Sequence, residues 1–440
     1  MIPARQLRID NARIVPCEDT SVIENGSLVV VDDRIAWLGL TSEIPEEFRD
    51  IDQVVDANQR TLMPGLVDAH MHISFGEAAS EEELSIHTPS AYRAIRASVD
   101  AKKVILAGVT SACDPGGPRG IATAVRDAIS AGLVVGPRMA AAGPQITTQQ
   151  GIGDTLPSPL GDLPTSIGAL VRSRDEILQE IRNELKDGVD LIKIAGSGIG
   201  TREFGSFTLG ELEVAVSEAH RLDLPIAIHA RSRQSVADAV SAGFDWIMHA
   251  SYMDEPTLES LIQKKIPIVP AMTLLVNSLE AGKGVQPTST LDAIKRELDA
   301  AVKILSMARA NGARLIAGSE TGFSMTPYGQ WHSREMELFV EFLNFSNHEA
   351  LLAMTRDAAW AMPRFGNLVG TLSPGKYADA LIVDGKPDLD VKILSNSKNI
   401  YKIMKSGKFV EQDSVGLERK PHLFERTRVY THEIYNRKKD

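Results

Sequence analysis

The chain has 440 residues, enough to bury a large core and, at roughly 150 residues per domain, to hold one large domain with a smaller companion, or two to three domains. Apolar residues (43%) and charged residues (24%) stand at ordinary globular levels, and no apolar run is long enough to span a bilayer, which argues against a membrane protein. A net charge of -11, dispersed along the chain, argues against nucleic acid as a general partner.

Met1 to Val15 carries charges throughout and lacks the apolar core of a signal peptide, so a cytoplasmic location is expected. Cys17 and Cys113 are the only cysteines; they form no CxxC motif or disulfide framework and read as buried thiols. In chain order, the first elements are short β-rich runs broken by Asn, Asp and Gly: LRIDNARIV, GSLVVVDDRIAWLG and QVVDANQRTLMPG. After residue 60, β-type and helical runs alternate. The β-type runs are 62–73, 110–114, 138–147, 190–197, 225–231, 245–251, 266–273 and 314–319. Helical runs include 91–107, 122–131, 176–185 and 209–222, two of them opened by the capping boxes Ser173-x-x-Glu176 and Thr208-x-x-Glu211. Eight strands alternating with helices predict an α/β fold, a (β/α)8 TIM barrel, with its active site at the C-terminal ends of the strands.

A helix at 351–362 should lead back to ADALIVDG and IYKIMKSGKFV, which are β-rich again. The two chain ends are therefore expected to build a small β-sandwich, from residues 1–61 and 366–415, around a barrel at 62–365. Residues 416–440 form a basic arm carrying Phe424, Tyr430 and Tyr435, which should dock on its own domain or on a neighbouring subunit. A homo-oligomer acting on a small-molecule substrate, with no nucleic-acid or membrane partner, is the expected assembly.

The predicted strand ends carry the polar chemistry. LMPGLVDAHMHI ends on His70 and His72, which in an extended segment share one face. LIKIAGSG places Lys193 in an apolar strand, PIAIHAR ends on His229, DWIMHAS on His249 and RLIAGSETG on Glu320. A histidine at a strand end is commonly just hydrogen-bonded, but six such residues at one mouth read as a metal centre. Lys193 has two readings. It pairs with Glu320, or it is neutral in a desolvated site and takes up carbon dioxide, giving a carbamate that bridges two metals beside a hydroxide nucleophile.

The motifs GLVDAHMHI, LIKIAGSG, IHA, MHAS, AGSETG and GTLSPGKYADALIVDG, taken in order, resemble the amidohydrolase superfamily over nearly the whole chain, especially its Xaa-Pro dipeptidase and imidazolonepropionase-like subgroup. The resemblance implies that His70 and His72 hold the more buried metal, His229 and His249 the other, and a carboxylated Lys193 bridges them. It implies zinc, and an acid, here Glu320, that binds the buried metal and shuttles protons. TPYGQWHSRE also resembles subgroup members that hydrolyse ureas and carbamates of herbicide type. Two departures stand out. Glu320 replaces the usual Asp, and ITTQQGIG replaces the usual Gly-Gly-His-Gly loop, putting Gln149 and Gln150 where a substrate-contacting histidine is normal.

Further candidates for substrate contact each have a plainer role. Tyr252 could polarise a carbonyl or merely cap the barrel; Arg231 could receive a carboxylate or pair with a nearby acid; His332 could reach the pocket or neighbour a helix start. The expected activity is hydrolysis of an amide-like C–N bond in a dipeptide, N-acyl amine, urea or carbamate. Ester or lactone hydrolysis on the same centre is the alternative, and a binding protein impaired by Glu320 is the reading outside catalysis. A deaminase fits less well, because HARSRQ lacks the Glu that such enzymes place shortly after the fifth-strand histidine.

Overall fold

The computed structural model describes residues 5–154, 156–198, 204–412 and 436–437. Except for Asn436 and Arg437, the expected arm from 416 onward lies outside the described residues, as do Phe424, Tyr430 and Tyr435.

Strands from both chain ends share one hydrogen-bonded sheet of eight strands. Its order runs Lys408–Phe409, Ile400–Lys405, Ala380–Val383, Thr61–Pro64, Gln6–Ile14, Ile23–Val31, Arg34–Leu40, with Val54–Asp56 also paired to Gln6–Ile14. Alternation along each strand sends Leu7 and Ile9, Leu28 and Val30, and Ala380 and Ile382 into one core.

The apolar stretch at 62–73 is two elements. Thr61–Pro64 pairs with Ala380–Val383 in the terminal sheet, whereas Leu66–Asp68 runs parallel to Val109–Asp114. The chain changes sheets at Gly65, where a Cβ would lie 2.0 Å from Thr110 Oγ1. Gly65→Ala should therefore lower stability by about 1–3 kcal/mol through overpacking, read as a lower thermal midpoint; an unchanged midpoint would mean that Thr110 rotates clear.

Leu66–Asp68, Val109–Asp114 and Arg138–Ala141 form one parallel sheet; Ile192–Ala195, Ile226–Ala230, Trp246–His249 and Ile268–Val269 follow one another in a second. The expected run 138–147 breaks around Pro144, which has no N–H to donate, and Gln145–Thr147 pairs instead with Gly168–Leu170. Between the two sheets, Asp190 N–H donates to Ala141 O at 2.8 Å, and Asp190 Oδ2 accepts from Ala141 N–H at 3.0 Å. On the far side, residues 314–319 form no ladder of their own. They still bond as a parallel segment: Leu315 bridges Ile268, Ile316 N–H donates to Ile268 O, and Ala69 N–H donates to Ala317 O.

Side-chain parity sorts these strands into two layers. Ile192, Ile194, Ile226, Ile228 and Ile247 pack into the core shared with the helices, while Val67, Leu191, Ala227, Met248 and Ile316 meet one another on the other face. Lys193 and His229 continue the inner face, two residues beyond Leu191 and Ala227. The helices Ser90–Leu106, Ile121–Ser130, Arg174–Lys186 and Leu209–Arg221 lie within one or two residues of their expected ends. The Thr208–Glu211 capping box is complete. At Ser173 the hydroxyl accepts Glu176 N–H at 3.2 Å, but the Glu176 carboxylate reaches one residue further back, to Arg172 N–H. The helix expected at 351–362 is shorter, Asn347–Ala353, followed by a 3-10 turn at Ala358–Ala361. The carbonyls of Ala353 and Met354 are taken by the N–H groups of Ala317 and Val67, so they cannot serve a longer helix. No helix among the described residues is long and apolar enough to cross a membrane.

Candidate metal centre

The strand Leu66–Asp68 ends before His70, so the two histidines are not aligned by strand geometry as the i, i+2 spacing suggests. A side-chain turn aligns them instead: Asp68 Oδ1 accepts His70 N–H at 3.1 Å, and also Ser319 N–H at 2.9 Å from the far end of the strand set. The two rings meet edge to face with their Nε2 atoms 3.2 Å apart. His72 Nδ1 donates to Gly116 O at 2.7 Å, which leaves Nε2 as the ring's lone-pair nitrogen, and Phe75 stacks on the ring at 4.1 Å.

His229 and His249 form the second pair, ring centroids 4.4 Å apart, and His249 lies 5.5 Å from His70. By parity His249 belongs with Ile247 on the helix-facing side. Its left-handed backbone, φ 73°, turns it inward. Glu320 is left-handed too, φ 53°, and its N–H donates to His70 O at 2.6 Å. Such conformations cost non-glycine residues roughly 1–3 kcal/mol each and persist where surrounding bonds impose them. Gly318, just upstream, has no room for a side chain, since a Cβ would stand 2.7 Å from His70 Cβ.

Burial shapes the electrostatics. The imidazoles of His70, His229 and His249 are held well below their usual pKa, first by desolvation and then by one another and the cations Lys193 and Arg231. They are neutral at pH 7. Among the described residues, His70 Nδ1, His229 Nε2 and His249 Nε2 are buried without a hydrogen-bond partner. Neutral rings with unshared, desolvated nitrogens are in the form that binds a metal and are costly to leave unsatisfied, so this donor set fits a divalent ion. Among the described residues, no three His, Cys, Asp or Glu side chains gather around one ion position. The ring contacts run in a row, His72 to His70 at 5.1 Å, His70 to His249 at 5.5 Å and His249 to His229 at 4.4 Å.

Lys193 is fully buried, and its amine donates to Met248 Sδ. Desolvation lowers its pKa to about 7 against the opposing pull of Glu320, Cys113 and Asp114. Glu320 moves the other way, raised to about 7 chiefly by desolvation and opposed by Arg231, His72 and Lys193. Its Oε1 lies 3.9 Å from His249 Nε2, so the longer acid reaches toward the second pair.

These groups open into a cavity of about 810 Å³. Phe75, Leu84, Ile152, Ile167, Leu275, Ile294 and Phe323 give it a mainly apolar wall, and Tyr252 and Arg231 line it too. Arg231 also takes the plainer role foreseen for it, with Nε 3.2 Å from the buried Glu297, which accepts the Ser251 hydroxyl as well. Three expected substrate contacts are not in the lining. Gln149 and Gln150 are exposed, because the turn closed by Gly151 N–H on Thr148 O points them to solvent, and Gln145, Ile152 and Gly153 line the cavity in their place. His332 is buried behind the centre, its Nδ1 2.8 Å from Asp68 Oδ2.

Sequence reasoning missed Asp68 and Asp114, the carboxylates that hold the turns at His70 and Gly116. Each had a local signal: Asp68 accepts the N–H of His70 and Asp114 that of Gly116, both two residues on, the habit of an Asx turn. Glu297 had none, being 66 residues from Arg231 along the chain.

The model of the Amidohydrolase family matches residues 61–410. The chain is 26% identical to an ochratoxinase of Aspergillus niger over 419 residues, covering 90% of this chain and 85% of that one. It is 27% identical to an imidazolonepropionase of Colwellia psychrerythraea over 287 residues, covering 56% of this chain and 62% of that one. The crystal structure of a Xaa-Pro dipeptidase with methionine bound in its active site superposes with a TM-score of 0.82 at 24% identity, covering 92% of this chain and 100% of that one. That likeness is one of α/β fold. The family as a whole generally relies on a divalent metal centre, which the paired imidazoles suit. With most of its length under the family model, from the terminal sheet through every strand that bears a candidate ligand, the chain belongs to the amidohydrolase family and is a hydrolase.

Proposed function

We propose that this hydrolase cleaves an amide-like C–N bond in a small substrate with a bulky apolar group: an N-acyl amino acid, dipeptide, urea or carbamate. The observation that carries this reading is the buried cluster of His70, His72, His229 and His249 with the buried Lys193, at a cavity whose wall is mainly apolar. His70 and His72 would hold one divalent ion, zinc by family resemblance, and His229 and His249 the other. The Lys193 amine, neutral in good part at pH 7 to 8, could add carbon dioxide with loss of a proton, and the carbamate would then serve as a ligand shared by the two ions. Such ions, when bound, acidify water and polarise a carbonyl. Glu320, titrating near neutrality, accepts the attacking water's proton and returns it to the departing nitrogen. Tyr252, in the cavity wall, would polarise the scissile carbonyl, and Arg231, paired with Glu297, would meet the polar end of the substrate.

We further propose that the parallel strands close as a (β/α)8 barrel and the terminal sheet wraps as a small sandwich, since backbone bonds lead from Ala141 through residues 315–317 back to Ala69. A homo-oligomer in the cytoplasm, with Cys17 and Cys113 kept as buried thiols, completes the proposal.

Metal analysis combined with turnover of N-acyl amino acids, dipeptides, aryl carbamates and esters tests the function. Amide or carbamate turnover lost to chelators supports it; activity indifferent to chelators, or on esters alone, rules it out. Glu320→Asp should raise kcat several-fold at equal metal content, because the shorter acid would draw back toward His70 and His72, and a misplacement near 1 Å costs on the order of a hundredfold. A slower Asp variant at equal metal content would instead mean that the pocket is adapted to the longer acid.

A further inference from the structure

Behind the metal centre, residues 330–337 touch three things that are far apart in the chain. First, His332 Nε2 accepts Gly329 N–H at 3.2 Å, so its proton sits on Nδ1 and is donated to Asp68 Oδ2. Asp68 in turn holds the N–H groups of His70 and Ser319, the latter adjacent to Glu320. Second, Glu335, fully buried, accepts the N–H groups of Met272 and Thr273 at 2.9 and 3.0 Å and the Thr273 hydroxyl at 2.7 Å. These bonds pin the start of the helix Thr273–Ala281, whose Leu274, Leu275 and Ser278 line the cavity. Arg334 donates to Glu280 at 3.1 Å near the other end of that helix. Third, the Gln330 side chain donates to Asn436 Oδ1 at 2.7 Å and accepts Arg437 N–H at 3.0 Å. The Arg437 guanidinium pairs with the buried Glu337 and lies 5.7 Å from the centre of the Trp331 ring.

One short segment thus ties the first imidazole pair to the apolar wall of the cavity, and Arg437 closes over its outer side. We infer that residues 330–337 are a positioning brace for the hydrolytic site, with His332 setting the ligand-bearing turns through Asp68 and Arg437 locking the brace in place. This rests on the metal-dependent reading of the site and adds positioning residues that touch neither metal nor substrate. A brace of this kind predicts effects on two readouts at once. Loosening His332 slackens the ligands, and outer contacts of this sort typically change metal affinity by about 10–100-fold. Loosening Arg437 lets the Thr273–Ala281 wall move as well, which raises KM.

The experiment uses the full chain with His332→Ala, His332→Asn, Arg437→Ala and Arg437→Lys, loaded with zinc. Zinc retained against a competing chelator, kcat, KM and thermal midpoint are measured for each. His332→Ala should retain zinc about tenfold less well, whereas His332→Asn, which keeps a donor for Asp68, should stay near the parent. Arg437→Ala should lose about tenfold in kcat/KM with a raised KM, and Arg437→Lys should recover much of it. Arg437→Ala with parental zinc retention, kcat and KM would overturn the inference, as would equal losses in His332→Ala and His332→Asn. If the parent cleaves no amide, the functional reading fails, while zinc retention across the four variants still decides the brace; if His332→Ala does not fold, the two Arg437 variants decide it.

Discussion

Lys193→Ala should abolish amide hydrolysis, with a fall in kcat of at least about a thousandfold, and short carboxylic acids such as acetate or propionate should partly restore it. The amine is fully buried, and on the proposed carbamate reading a methyl group in its place would leave the imidazoles without their shared ligand. A carboxylic acid small enough to enter the space left by the side chain carries the same two oxygens as a carbamate, which is why rescue is expected and why an amine should not rescue. The sign of the pH dependence follows from burial. Desolvation lowers the lysine to about 7, so the reactive neutral amine dominates above that pH and the inert ammonium below it. Metal-free protein given zinc and bicarbonate should therefore regain activity faster at pH 8 than at pH 6, and reloading should stall in buffer stripped of carbon dioxide. Full activity in the alanine variant, or reloading indifferent to carbon dioxide, would remove the carbamate from the account.

His229→Ala is the second large effect. The chain should carry close to two divalent ions when intact and about one in this variant, with kcat down by more than about a hundredfold. His229 Nε2 is buried with no hydrogen-bond partner among the described residues, so the substitution breaks no hydrogen bond at that atom. His70 keeps its backbone N–H bond to Asp68 and the His72 ring its bond to Gly116 O, so the first pair should remain competent. Elemental analysis after gel filtration checks this directly, and two ions retained in the variant would show that His229 is not a ligand. Arg231 is the neighbour to watch in such a variant: it helps hold His229 neutral, and its pairing with Glu297 should survive the substitution.

Much of this protein is legible in its amino-acid sequence because the relevant forces act over a few residues. Alternation of apolar and polar side chains marks the strands, Thr208 and Glu211 mark a helix start with a reciprocal bond three residues long, and histidines at strand ends advertise the centre. The α/β organisation, the joining of both chain ends and the placing of Lys193 and His229 on one face follow from such local signals. What only the tertiary structure decides depends on partners distant in sequence. Gly65 divides one apolar run between two sheets because Thr110 leaves no room there. The left-handed turn at His249 brings onto the inner face a ring that strand parity assigns to the outer one. Gln149 and Gln150 face solvent because a turn four residues long, not the loop's family resemblance, sets their direction. His332 serves Asp68 from 264 residues away. A contact at that separation has no local propensity to announce it, since its free energy appears only after the intervening chain has packed and placed both groups in the same desolvated volume.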